Sequence, residues 1–137
     1  MIFSGFEKCI LDANGRLKLS CSHVKDFEES GGLNIVLHCW PEGSIAVLPE
    51  HQWNQAMREQ QTSLSQMLAS PADRLRARAV MPLTCPGQIT NQMRITSPQA
   101  FREKAGLECG GPVTVVGTGI GLEIWNCERW EAQMAQM

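Results

Sequence analysis

Two stretches of this chain repeat one another. Ile45-Ala46-Val47-Leu48-Pro49-Glu50-His51-Gln52-Trp53-Asn54-Gln55-Ala56-Met57 and Leu122-Glu123-Ile124-Trp125-Asn126-Cys127-Glu128-Arg129-Trp130-Glu131-Ala132-Gln133-Met134 share a pattern. Each gives a short apolar run, a polar break, and a helix start with Trp three residues after a Glu or a Cys; Trp53 and Trp130 lie 77 positions apart. An internal repeat constrains the fold because each copy is a unit that cannot bury its apolar face alone. The preceding stretches agree. Leu33 to Leu37 and Val113 to Gly117 are apolar runs bounded by Gly, as strands are. Gly43-Ser44 and Gly119-Ile120-Gly121 supply turns into the next strand. Units of roughly 55 residues are too small for a good separate core. The expectation is therefore one compact pseudo-two-fold domain, with a first half at 1–57, connecting helices at 58–80 and a second half at 81–137.

Ahead of each copy stands a turn motif. Cys9-Ile10-Leu11-Asp12 leads through Ala13-Asn14-Gly15 into Arg16-Leu17-Lys18-Leu19-Ser20. Asn-Gly between two alternating runs predicts a β-hairpin with a type I′ turn, which needs positive φ at both central residues. The period of two puts Leu17 and Leu19 inward and Arg16 and Lys18 outward, side by side. Lys8 falls on the expected partner strand. Ser22 to Glu29 fits a short helix capped by Ser20 or Ser22. In the second copy Arg94 follows Arg16 by 78 positions, within Ile89-Thr90-Asn91-Gln92-Met93-Arg94-Ile95-Thr96. That copy has lost the Asp and the Gly of the turn. Ser97-Pro98 then predicts a helix with a Ser cap, Pro at its first position and a stop at Gly106.

Between the halves, Glu50 to Leu68 is expected to be a polar helix with Trp53, Met57, Leu64 and Leu68 as its apolar positions. A second helix capped by Ser70-Pro71 carries Arg74, Arg76 and Arg78 on a solvated face, with Leu75 and Ala79 as a narrow buried stripe. Six cysteines are dispersed without a C-x-x-C pair, and the three histidines do not sit at ligand spacing around them. No metal site and no cofactor are expected; free, mostly buried thiols are. Catalytic fingerprints are missing, since Gly117-Thr118-Gly119-Ile120-Gly121 opens no helix, so the chain is not expected to be an enzyme or to take a small-molecule substrate. No apolar run reaches the roughly 20 residues of a membrane span, and the N-terminus lacks the pattern of a secretory signal.

The series of motifs resembles the MraZ proteins, regulators of the bacterial division and cell-wall cluster, related to the AbrB and SpoVT swapped-hairpin DNA-binding domains. The residues that carry the likeness begin with Phe3-Ser4-Gly5 and with Leu11-Asp12-Ala13-Asn14-Gly15-Arg16-Leu17, the family's first D-x-x-x-R motif. They continue through Leu48-Pro49-Glu50-His51-Gln52-Trp53 and Phe101-Arg102-Glu103-Lys104-Ala105-Gly106-Leu107 to Val115-Val116-Gly117 and Leu122-Glu123-Ile124-Trp125. The resemblance implies an α+β fold: a tandem pair of AbrB-like β-β-α-β units forming a β-barrel core with packed helices. It also implies a ring-shaped homo-oligomer that offers repeated motifs to tandem promoter DNA, in the cytoplasm on the nucleoid. The Arg of D-x-x-x-R is the residue associated with DNA, so Arg16 carries over fully and Arg94 as the Arg alone. Thr90 stands where the second motif has Asp, and Met93 where it has Gly. Thr90 is expected to brace its turn without charge assistance. Met93 is expected to refuse the positive φ of a Gly, giving the second turn another shape.

The candidate DNA-contacting residues are thus Arg16, Lys18, Arg94 and Lys8, with Asp12, Asn14 and Gly15 bracing the first turn. Arginine suits phosphate because its planar fork donates two hydrogen bonds and its charge is permanent. The net charge of −2 argues against a uniformly basic binder. A local basic stripe replicated around a ring would overcome this through avidity. The other class of function is an assembly or interaction protein that keeps the ring after its second motif has decayed. Trp53, Trp125 and Trp130 are expected in the core or at a protomer interface.

Overall fold

A computed structural model describes residues 2–61 and 63–137. It is an α+β structure whose elements follow the chain as β1 (Phe6–Ile10), β2 (Arg16–Lys18), α1 (Cys21–Glu29), β3 (Asn34–Cys39), β4 (Ile45–Pro49), α2 (Glu50–Glu59), α3 (Leu64–Ala69) and α4 (Pro71–Val80). After a 3-10 turn at Met81–Leu83 come β5 (Thr84–Gln88), β6 (Arg94–Thr96), α5 (Gln99–Ala105), β7 (Pro112–Gly117), β8 (Leu122–Asn126) and α6 (Cys127–Ala135).

Six strands form an antiparallel sheet in the order β1-β7-β8-β4-β3-β5, and β2 pairs with β6 in a separate two-stranded ribbon. Among the described residues no ladder joins β5 back to β1, so the pairings describe an open sheet and a ribbon where a closed barrel was expected. The core lies between them. Ile35, Leu37, Ile45, Val47, Val113, Val115, Leu122 and Ile124 from the sheet pack with Leu17 and Ile95 from the ribbon and Phe27 and Phe101 from the helices.

The expected hairpin of β1 with β2 does not form. β1 pairs with β7 of the second half, Cys9 opposite Val113, and β2 pairs with β6 of the second half, Leu17 opposite Ile95. The turn at 12–15 reverses the chain, but its two arms leave for different sheets. It is also not type I′: Asn14 has no positive φ, and only Gly15 does, at +75°. The Gly15 N–H donates to Asp12 O at 3.1 Å and the Asp12 N–H to Arg16 O at 2.9 Å. That is a three-residue loop ending in a left-handed Gly.

The helices show three further differences. The stretch 50–68 is broken into α2 and α3, because Ser63 and Gln66 form a reciprocal capping box that starts a new helix. In α4 Ser70 accepts from the Asp73 N–H as expected, but the expected stripe is not buried: Leu75 is 66% exposed. Ser97 does not cap α5 with its side chain. Its hydroxyl instead donates to Gly15 O. α1 starts where expected, with Ser20 accepting from the His23 N–H. Of the six free cysteines only Cys39 is buried, and Cys21 and Cys109 are exposed.

Candidate nucleic-acid interface

The ribbon has two unlike faces. Leu17 and Ile95, directly opposite one another, are each 1% exposed and anchor it to the core. By the alternation of strands, Arg16, Lys18, Arg94 and Thr96 project from the other face, where Lys18 and Thr96 are exposed and the two arginines half-buried. Lys18 stands opposite Arg94, and Arg16 opposite Thr96. The tertiary fold thus sets the cations of both motif copies side by side. Like charges directly opposite on a ladder repel, so a bound anion would relieve this face. Lys8 is not part of it. Its strand lies at the edge of the six-stranded sheet, opposite Thr114.

At the first turn Asp12 acts as the brace that its position implies. Its Oδ1 accepts from the backbone N–H of Asn14 and of Arg16, each at 2.8 Å. Its Oδ2 accepts from Arg16 Nε at 3.0 Å. The Arg16 backbone N–H, then that of Asn14 and the Arg16 side chain, hold the Asp12 carboxyl below its ordinary range. The guanidinium is therefore oriented by one edge, and its other N–H groups remain available. This ion pair is solvent-accessible on both sides, 39% for Arg16 and 36% for Asp12, so it orients the side chain more than it stabilises the fold.

The second turn repeats this geometry with weaker parts. The Thr90 N–H donates to Arg94 O at 2.9 Å and the Met93 N–H to Thr90 O at 2.9 Å. Thr90 Oγ1 replaces the carboxylate, accepting from the N–H of Arg94 at 3.2 Å and of Gln92 at 3.3 Å. Arg94 Nη1 donates to Gln92 Oε1 at 3.3 Å. Among the described residues neither Lys18 nor Arg94 has a carboxylate within ion-pair reach. The expectation about Met93 is overturned, since it adopts φ +62° where Gly15 has +75°. The left-handed residue is held from the other half: the Leu19 N–H donates to Met93 O at 2.8 Å, and the side chain packs against the core. The matching bond at the first turn runs from the Ser97 N–H to Gly15 O at 3.2 Å. Each turn is thus fastened by the chain leading into the other half's helix.

One basic residue near this face was missed. Arg102 on α5 lies over the first turn, where a Cβ built on Gly15 would fall 2.6 Å from its Cζ. The signal was available in the repeat: the offset of 78 sets Arg102 against Val24, an apolar position of α1. Elsewhere, a cavity of about 1010 Å³ opens between α2, α3 and α4 and is lined in part by Met57, Met67, Ala77, Val80 and Met81. Among the described residues no group of His, Cys, Asp or Glu side chains could hold a metal ion, and no helix is long and apolar enough to cross a membrane.

Fold and site together define an α+β protein in which strands from the two halves of the chain pair into a basic ribbon. Comparison with known proteins gives this class its family. Residues 2–75 and 88–137 match the family described as "MraZ protein, putative antitoxin-like", and the chain belongs to the MraZ family. Its relatives include proteins named transcriptional regulator MraZ from Leuconostoc mesenteroides, 30% identical over 98% of this chain and 88% of the relative. The one from Thermus thermophilus is 33% identical over 88% and 78%, and the one from Coxiella burnetii is 28% identical over 95% and 83%.

Proposed function

We propose that the protein is a sequence-specific DNA-binding transcriptional regulator that engages tandem promoter repeats as a ring-shaped homo-oligomer, in the cytoplasm on the nucleoid. The observation that carries this is the ribbon, which joins Arg16, Lys18 and Arg94 from both repeats on one exposed face. The names of the relatives agree with it. Arg16 is the oriented contact; Lys18 and Arg94 are the unneutralised charges. Lys8, on an edge strand of the other sheet, would add to the surrounding positive potential without touching the same groove. The repeated halves, 1–57 and 81–137, joined by 58–80, make one module with pseudo-two-fold arrangement, and its net charge of −2 is overcome by repeating the ribbon around the ring.

Assembly is supported by apolar side chains that the protomer leaves uncovered. α2, α3 and α4 contain no buried residue. Leu64 is 74% and Leu68 76% exposed, and on the edge strand β1 Phe6 is 60% and Ile10 64% exposed. The same uncovered residues favour the second reading, an interaction protein that forms rings without binding DNA. Fluorescence anisotropy separates the two. Duplex from upstream of the protein's own operon and a scrambled duplex are titrated at several salt concentrations. A steep salt slope with sequence preference is the regulator's result. A folded oligomer with neither preference nor salt-dependent binding overturns it in favour of the interaction protein.

A further inference from the structure

The two edges of the six-stranded sheet are finished differently. β5, at one end of the strand order, carries Pro86, which lacks the N–H that a further strand would need, and it exposes no large apolar side chain. β1, at the other end, carries no proline. By the period of two, Phe6, Lys8 and Ile10 share one face of it, with Phe6 60% and Ile10 64% exposed. Phe6 is the outermost member of an aromatic row: its ring lies 6.0 Å from that of Trp130, which stands 5.7 Å from Trp125. An open edge with uncovered apolar side chains is a template for another chain.

A surface suited to such an edge lies toward the other end of the sheet. α2 packs on β3 and β4, and α4 runs through the 3-10 turn into β5. The groove of about 1010 Å³ between α2, α3 and α4 is therefore separated from β1 by β7 and β8. Its lining joins Met57 and Met67 with the carboxamide residues Asn54 and Gln66. Methionine adapts its shape to an incoming apolar side chain. A carboxamide offers both a donor and an acceptor, the same pair that the backbone of an unpaired strand edge presents. Arg58 and Glu59 also line the groove and have no ion-pair partner among the described residues. β1 brings one charge of each sign, Glu7 and Lys8.

We infer that the groove between α2, α3 and α4 is the docking site for the β1 edge of a second copy of this chain, with Phe6 and Ile10 as the inserted side chains. This rests on the assembly part of the reading above and deepens it by naming the two surfaces that meet. The contact is heterologous, because edge and groove are different patches of the same protomer. Like patches meeting across a two-fold axis would cover one kind and leave the other bare. Head-to-tail contact covers both on every copy once the series closes into a ring. Because the two patches are set apart across the sheet, a protomer can fill its neighbour's groove while its own is filled.

The test uses two full-length variants and their mixture, with mass read by analytical ultracentrifugation and folding by circular dichroism. Phe6→Ser with Ile10→Ser removes the inserted side chains, both exposed in the protomer. Met67→Glu with Ala77→Glu charges the groove, and Ala77→Glu alone replaces this pair if the double variant is unfolded. The wild type should sediment as an assembly larger than a dimer, and each variant as a monomer. Equimolar mixing should then give a heterodimer and nothing larger, because each variant keeps the one surface that the other lacks. Either variant keeping the wild-type mass, or forming a dimer by itself, overturns the inference. So does a mixture of folded variants that stays monomeric. A monomeric wild type overturns this inference and the assembly reading together, whereas an assembled wild type with an unchanged edge variant overturns the inference alone.

Discussion

The strand exchange predicts an energetic coupling that no local hairpin would produce. Leu17 of β2 and Ile95 of β6 are directly opposite, each 1% exposed and both in the one core cluster. Cβ atoms of directly opposed residues lie about 4.5–5.5 Å apart, within van der Waals reach of their side chains. Truncating either to Ala removes a buried aliphatic group and leaves a cavity, at about 2–5 kcal/mol. A domain holds about 0.05–0.15 kcal/mol of stability per residue, so either change consumes a large share of the total. Because the two side chains share contacts, the second truncation should cost less than the first. The coupling should fall within about 0.5–3 kcal/mol. The assay is urea unfolding of Leu17→Ala, Ile95→Ala and the double variant, with Ile95→Val at about 0.5–1.5 kcal/mol as a milder arm if the double variant is unfolded in buffer. Unfolding should remain a single transition, since each strand of the ribbon comes from a different half. Additivity within about 0.3 kcal/mol, or two separate transitions, would refute the exchanged pairing.

Three other outcomes follow from the site. Arg16→Ala should abolish sequence-specific DNA binding while leaving folding and assembly intact, as anisotropy and size-exclusion chromatography would report; an unfolded variant would make Arg16 a structural brace. Arg94→Gln, which removes a cation without a carboxylate partner, should flatten the salt slope by about 0.9 per engaged protomer. Gly15→Ala should lose about 1–2 kcal/mol from its left-handed backbone alone and more from the clash of its Cβ with the Arg102 guanidinium, measurable by urea unfolding. Burial holds His38 below its ordinary pKa, against the opposing backbone hydrogen bond at Leu83. The folded protein therefore takes up this proton less readily than the unfolded chain. The resulting stability is complete above the unfolded value of 6.5 and is lost as pH falls from there through the folded pKa. Unfolding midpoints between pH 7.5 and 5 should decline in the wild type and decline less in His38→Gln.

The order and type of most elements were legible in the sequence because they depend on neighbours along the chain. Gly-bounded apolar runs gave β3, β4, β7 and β8, and Ser70-Pro71 gave the start of α4. Asp12 before Asn-Gly gave the braced turn, and the alternation of Arg16, Leu17, Lys18 and Leu19 gave the exposed and buried faces. A wider misreading came from treating a chain reversal as a strand pairing. Asn14-Gly15 turns the chain, but nothing local says which strand will accept the hydrogen bonds of either arm.

The Asp12 brace and the sidedness of Arg16 and Lys18 are thus properties of the sequence alone, because backbone period and turn chemistry act over a few residues. The tertiary structure decided the rest. It sent β1 to β7 and β2 to β6, so Lys8 left the basic face and Arg94 joined it opposite Lys18. It held Met93 at φ +62° by bonds from residues more than 70 positions away, and it laid Arg102 over Gly15. These outcomes depend on burying both halves in one core. The free energy of that burial exceeds local backbone preference, and it depends on which surfaces meet across the whole chain.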